Sequence, residues 1–267
     1  MSPVFTRRRL LHTGAALAGA VALPLQAQVH DLNDAINKAG RQRMLSQRMA
    51  KAYLALGMEI EHSAAQQVLE ASMVLFERQL AELKAYAPSP TIRATYEALD
   101  LAWQAYRAAL TDPRASRDQV AALVGLDSRV LALSHQGTSQ YESASGKSVG
   151  RLVNLCGRQR MLSQRCAKFY LALAWDSGLP QAKAELDKAR SEFVAAHAVL
   201  SAAPEATPTI RDELELARQQ WMFFENALQF GNQAGLGARR ASDVFRASEN
   251  ILAAMDRVTG LYARLSA

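Results

Sequence analysis

The sequence predicts an all-α protein built as two tandem up-and-down four-helix bundles, and three observations carry that prediction. The nonapeptide Gly40-Arg41-Gln42-Arg43-Met44-Leu45-Ser46-Gln47-Arg48 returns unchanged at Gly157 through Arg165, 117 residues later. Landmarks around it return too. Asn37 recurs as Asn154, Lys51 as Lys168 and Tyr53-Leu54-Ala55-Leu56 as Tyr170-Leu171-Ala172-Leu173, while Pro90-Thr91-Ile92-Arg93 recurs as Pro208-Thr209-Ile210-Arg211 and Trp103 as Trp221 one residue further on. Finally, Ala, Leu, Gln, Glu, Arg and Lys dominate, Gly and Pro cluster at a few places, and no strand-like alternation of β-branched residues occurs. A period this long marks a repeated domain, because solenoid units of helix pairs are far shorter.

Taken in order, the chain opens with Thr6-Arg7-Arg8-Arg9-Leu10-Leu11-His12 and an apolar run from Thr13 to Leu25. This reads as a cleavable signal peptide of the twin-arginine (Tat) type spanning residues 1–27, with small residues up to Ala27 for cleavage and delivery to the periplasm. The run is shorter than the ~20 residues a bilayer span needs and contains Pro24. No later segment has 18 consecutive apolar residues, so no transmembrane segment is expected in the mature chain.

The first bundle is assigned to residues 28–145, with helices at about 31–61, 63–86, 91–110 and 117–144. Ser63 is a candidate N-cap, Pro88-Ser89-Pro90 separates the second and third helices, and Asp112-Pro113 ends the third. The stretch from Ser143 to Gly150 reads either as a short linker or as a bent continuation of helix. The second bundle, residues 146–267, copies the plan. Its breaks are Asp176-Ser177-Gly178-Leu179-Pro180, Pro204 to Pro208, and a loop from Gly231 to Gly237 before a last helix at about 239–265.

Charge and cysteine usage narrow the function. Loss of Arg7, Arg8 and Arg9 with the leader lowers the formal charge from +6 to +3, which gives no support to nucleic-acid binding. Cys156 and Cys166 stand ten residues apart on one predicted helix, about 15 Å from each other, too far for a mutual disulfide. They read as buried thiols. The five histidines lack ligand spacing, so neither a metal site nor a cofactor is expected. No Ser/His/Asp set, phosphate loop or carboxylate pair marks an enzyme, and none is expected.

The repeated nonapeptide is the place to look for function. At 100° per residue, Ile36, Ala39, Gly40, Gln47, Ala50 and Leu54 fall within about 60° of Arg43, a stripe of apolar and small residues. Arg160 is flanked in the same way by Val153, Cys156, Gly157, Gln164, Ala167 and Leu171. Arg41, Arg48 and Lys51 fall on another sector, where a solvated basic face is expected. A guanidinium stays charged and is costly to bury alone, so Arg43 and Arg160 each require a negative partner. One source is internal, a carboxylate of the fourth helices such as Asp127, Glu142, Glu249 or Asp256. The other is a ligand. Gly40 and Gly157, one turn before each arginine, allow a helix or a small molecule to come close, and guanidiniums brought to 4 Å would repel by about 4 kcal/mol until an anion joined them. The residues themselves leave both sources open.

The segment Ile36-Asn37-Lys38-Ala39-Gly40-Arg41-Gln42-Arg43-Met44-Leu45-Ser46-Gln47-Arg48 resembles the signature of the PilJ-type domain, found at the N-terminus of type IV pilus methyl-accepting chemotaxis transducers. It is also similar to the box on the first periplasmic helix of nitrate/nitrite sensor kinases. There the box lies at a homodimer interface and one arginine from each subunit grips the anion. The resemblance implies that this chain carries both half-sites itself, with Arg43 and Arg160 as the gripping residues and Gly40, Gly157, Gln47 and Gln164 around them. It further implies a periplasmic sensory protein that binds a small anion, nitrate or nitrite, and signals through a membrane-bound partner. The alternative is a helical scaffold or protein-interaction module without a small ligand, in which the motif only packs helices.

Overall fold

A computed structural model describes residues 28–112, 116–229 and 237–265, and these form eight helices and no strand. Copy one supplies α1 (Leu32–Gly57), α2 (His62–Tyr86), α3 (Pro90–Leu110) and α4 (Arg117–Ser145). Copy two supplies α5 (Ser148–Ala174), α6 (Ala182–Ser201), α7 (Pro208–Ala227) and α8 (Gly237–Ala263).

Local sequence sets these boundaries, and it does so twice. Pro90 and Pro208 occupy the first turns of α3 and α7, where a missing N–H costs nothing, and Ser89 Oγ and Thr207 Oγ1 accept from the amides of Ile92 and Ile210, each at 3.3 Å. α1 is capped by Asp31, whose carboxylate accepts from the Asp34 amide at 2.8 Å. Its C-terminus closes with Met58 N–H on Leu54 O and Ile60 N–H on Ala55 O, and α5 repeats that closure with Trp175 on Leu171 and Ser177 on Ala172. The turn bends so sharply that Glu59, Glu61 and Asp176 take positive φ.

Two expectations need correction. The first helix ends at Gly57 rather than near 61, because this left-handed turn begins earlier. Ser63 lies inside the first turn of α2, and Glu61 occupies the cap position without its side chain capping the helix. Between the copies, where the sequence leaves a short linker or a bent continuation of helix open, the connection is short and the helix is interrupted. Gly146, at φ 62, and an extended Lys147 make a two-residue break between α4 and α5. The expected leader, Pro113, and residues 231–236 of the expected loop lie outside the described residues.

Within each copy the helices pack as a ring, α1–α2–α3–α4 and α5–α6–α7–α8. The rings share a wall. α1 lies along α5, and the buried residues of all eight helices form one continuous core. The two central helices run parallel, since contacts between them follow one order from end to end: Ile36 against Gly150, Gly40 against Gly157, and Gly57 against the Trp175 ring. Copy one thus ends up against copy two as two subunits of a dimer would. Among the described residues no helix is long and apolar enough to cross a membrane.

Candidate functional site

The candidate site lies where α1 and α5 touch. A methyl placed on Gly157 would sit 3.5 Å from the Gly40 Cα, and one on Gly40 would sit 3.6 Å from the Gly157 Cα, so the backbones are in near contact. The glycines therefore admit a helix, as one of the two expectations held. The same methyl on Gly40 would be 3.3 Å from Arg43 Nη2 and 3.6 Å from Arg160 Nη2. Both guanidinium tips converge on this crossing.

Each arginine reaches into the other copy. Arg43 Nη2 donates to Asn154 O at 3.1 Å and Asn154 Oδ1 at 2.7 Å. Arg160 Nη2 donates to Asn37 O at 3.1 Å and Asn37 Oδ1 at 2.9 Å. Both side chains are buried, Arg43 to 1% exposure and Arg160 to 0%, and the Nε of each has no partner. The symmetry fails at Nη1. Arg160 Nη1 donates to the Asp256 carboxylate at 2.5 Å, whereas Arg43 Nη1 meets His135 Nδ1 at 3.2 Å. An arginine can only donate, so that imidazole nitrogen accepts.

The electrostatics follow this geometry. Burial, then the nearby Arg160 and Arg158, draw Arg43 down to about 9, while Glu142 works in the other direction. Glu142 does not touch the guanidinium; it accepts from Asn154 Nδ2. Burial and Arg41 draw Arg160 down to about 10, opposed by Asp256. Burial, Arg43 and Arg158 also lower His135, which keeps its imidazole neutral at pH 7. A cavity of about 310 Å³ opens between α4, α5 and α6, with Arg43 in its lining together with His135, Arg158, Arg165, Lys188 and the carboxylate of Glu192.

The basic residues expected on a solvated face are not there. Lys51 is fully buried with its Nζ 2.6 Å from Glu249, Arg48 also pairs with Glu249, and Arg41 pairs with Asp256 at 3.0 Å. Lys168 of copy two and Asp127 of copy one form a fully buried pair at 2.6 Å. The reason is the second copy: α1 has α2, α4, α5 and α8 around it, so little of its surface meets water. Each lysine pairs with the fourth helix of the other copy, which stitches the two together.

Of the proposed internal carboxylates, only Asp256 holds one of the two arginines. Asp127 takes Lys168 and Gln47, Glu249 takes Arg48 and Lys51, and Glu142 takes Asn154. Gln47 and Gln164 lie further along their helices, on Asp127 and on the Ser248 carbonyl, and neither bonds Arg43 or Arg160; Gln47 Oε1 accepts instead from Arg165 Nη1 at 3.5 Å. Asn37, Asn154 and His135 were missed as partners. The two asparagines were visible as a repeated landmark; His135 was not, because nothing in the repeat marks it. Cys156 and Cys166 are buried free thiols, and burial raises both far above the ordinary range despite the neighbouring arginines.

No curated protein and no solved structure matches the chain. Residues 25–128 and 141–245 each match the family described as PilJ, the type IV pili methyl-accepting chemotaxis transducer N-terminal domain. Two copies of a sensory helical domain, packed through the repeated motif, thus account for most of the sequence, and the chain belongs to the PilJ family.

Proposed function

We propose that this protein is an exported periplasmic sensor that binds a small oxyanion on Arg43, in the cavity beside the α1/α5 crossing, and presents the bound state to a membrane-bound signalling partner. One observation carries the reading. Arg43 is a buried cation whose direct partners, Asn154 and His135, are neutral, and it lines a cavity in which the cations Arg158 and Arg165 are paired with Glu192 and Glu185 and no carboxylate bonds Arg43. A buried charge without a counter-charge is unfavourable, so an anion entering that space gains what the fold has left unsatisfied. Nitrate and nitrite are the first candidates, on the resemblance of the motif to the sensor-kinase box.

Transmission follows from where the site lies. Arg43 and Arg160 each bridge α1 and α5, so a ligand that draws on either guanidinium acts on the contact between the two copies. A partner that reads the relative position of the copies would register binding. The test is thermal unfolding of the folded protein with millimolar nitrate or nitrite at low ionic strength. A rise in Tm that saturates supports the proposal, and a Tm that follows ionic strength alone contradicts it.

The scaffold reading keeps support from copy two. There, Arg160 is answered inside the chain by Asp256, as a packing motif requires.

A further inference from the structure

The duplication supplies an internal comparison, because α4 and α8 can be set in register by their own bonds. Tyr141 donates to Leu83 O and Tyr262 to Leu200 O; Thr138 and Thr259 each donate to the carbonyl four residues back. In that register His135 corresponds to Asp256 and Ser128 to Glu249.

Copy two therefore places two carboxylates where copy one has none. Asp256 takes Arg160 and Arg41, and Glu249 takes Arg48 and Lys51. Arg158 and Arg165, the counterparts of Arg41 and Arg48, pair with Glu192 and Glu185 on α6, where α2 has Leu75 and Val68. Lys168 has Asp127. Among the repeated cations of α1 and α5, and within the described residues, Arg43 alone bonds only neutral groups, and its Nη1 gives only one of two hydrogens to His135.

From this we infer that the two half-sites have diverged: copy two carries its anion within the chain as the Asp256 carboxylate, and copy one leaves the equivalent seat, on Arg43 beside His135 and Arg158, for a planar monoanion from outside. The inference rests on the proposed oxyanion reading and specifies which half takes the ligand. Its chemistry is that of the group it replaces, a flat, singly charged set of acceptor oxygens able to span two guanidiniums. Both a free oxyanion and the carboxylate of a larger molecule meet that description. The 310 Å³ cavity, with Leu131 and Met161 in its lining, has room for either.

The experiment transplants the difference. Nitrate, acetate and butyrate are titrated by calorimetry into the protein and into its His135→Asp and His135→Asn variants. The protein is expected to bind one equivalent. His135→Asp, which installs copy two's carboxylate on Arg43, is expected to weaken binding at least tenfold without lowering the anion-free Tm. His135→Asn, neutral like the original, is expected to weaken binding clearly less than His135→Asp does. Response to nitrate alone identifies a free oxyanion, and response to acetate and butyrate as well identifies a carboxylate seat. Binding that survives His135→Asp, or that His135→Asn abolishes equally, overturns the inference and leaves the oxyanion reading standing. Absence of binding by the unaltered protein overturns both.

Discussion

Gly40 and Gly157 face each other across α1 and α5 so closely that a methyl on Gly157 would lie 3.2 Å from Arg43 Nη2 and 3.5 Å from the opposing Cα. The contact sets both the spacing of the two copies and the position of the guanidiniums. Gly157→Ala should be tolerated, with the flexible arginine giving way by a few tenths of an ångström. Gly157→Leu has no space and should cost about 3 kcal/mol, the upper end of overpacking losses. Urea denaturation of both variants measures the difference; equal stability would show that the helices are not held at this distance.

The Lys168–Asp127 pair, fully buried between α5 and α4, makes a second prediction. Asp127→Ala leaves a buried ammonium without its counter-charge and should lose about 3–5 kcal/mol. Replacing both partners, Asp127→Leu with Lys168→Met, should recover most of that loss, since paired apolar groups carry no desolvation penalty. A double variant as unstable as the single one would show that the hydrogen bond from Gln47 to Asp127, rather than the charge, is what matters.

Acid sensitivity follows from two carboxylates on α8. Burial pushes Glu249 up, but Lys51 and Arg48 outweigh it and hold the group at about 2; Asp256 is held at about 2 by Arg160 and Arg41 against its own burial. Both folded values lie below those of the unfolded chain, so the unfolded state binds more protons in acid. Their contribution is complete above about pH 5, where unfolded carboxylates are ionised, and is lost as the pH falls towards 2. Thermal unfolding between pH 2 and 6 should show Tm falling across that window, less steeply in Glu249→Gln.

Much of this could be read from the letters. The repeated motif, the prolines before Thr91 and Thr209, and the apolar stripe around Arg43 gave the helices, the duplication and the burial of the arginines. What the letters lacked was the neighbour. A helical wheel assigns one buried face to each helix, but α1 and α5 have two, one for their own bundle and one for the other copy. Hence Lys51 and Arg48 were expected in solvent. The difference between His135 and Asp256 was hidden for another reason. The fourth helices align only after the loops have shifted the register again, so a constant offset never pairs them.

Both thiols sit in the α5 core with raised pKa values, which keeps them protonated and unreactive. A thiol reagent such as dithionitrobenzoate should label neither cysteine in the native protein and both after denaturation. Fast labelling of Cys156 in the native state would indicate that the α1/α5 contact opens.

The central claim is that Arg43 is a buried cation that awaits an anion. Isothermal titration of the folded protein with nitrate and nitrite at low ionic strength, beside Arg43→Gln and Arg160→Gln, tests it most directly. The account predicts saturable binding at one site per chain, abolished by Arg43→Gln. No saturable heat at millimolar anion, or binding that Arg43→Gln leaves intact, would contradict it.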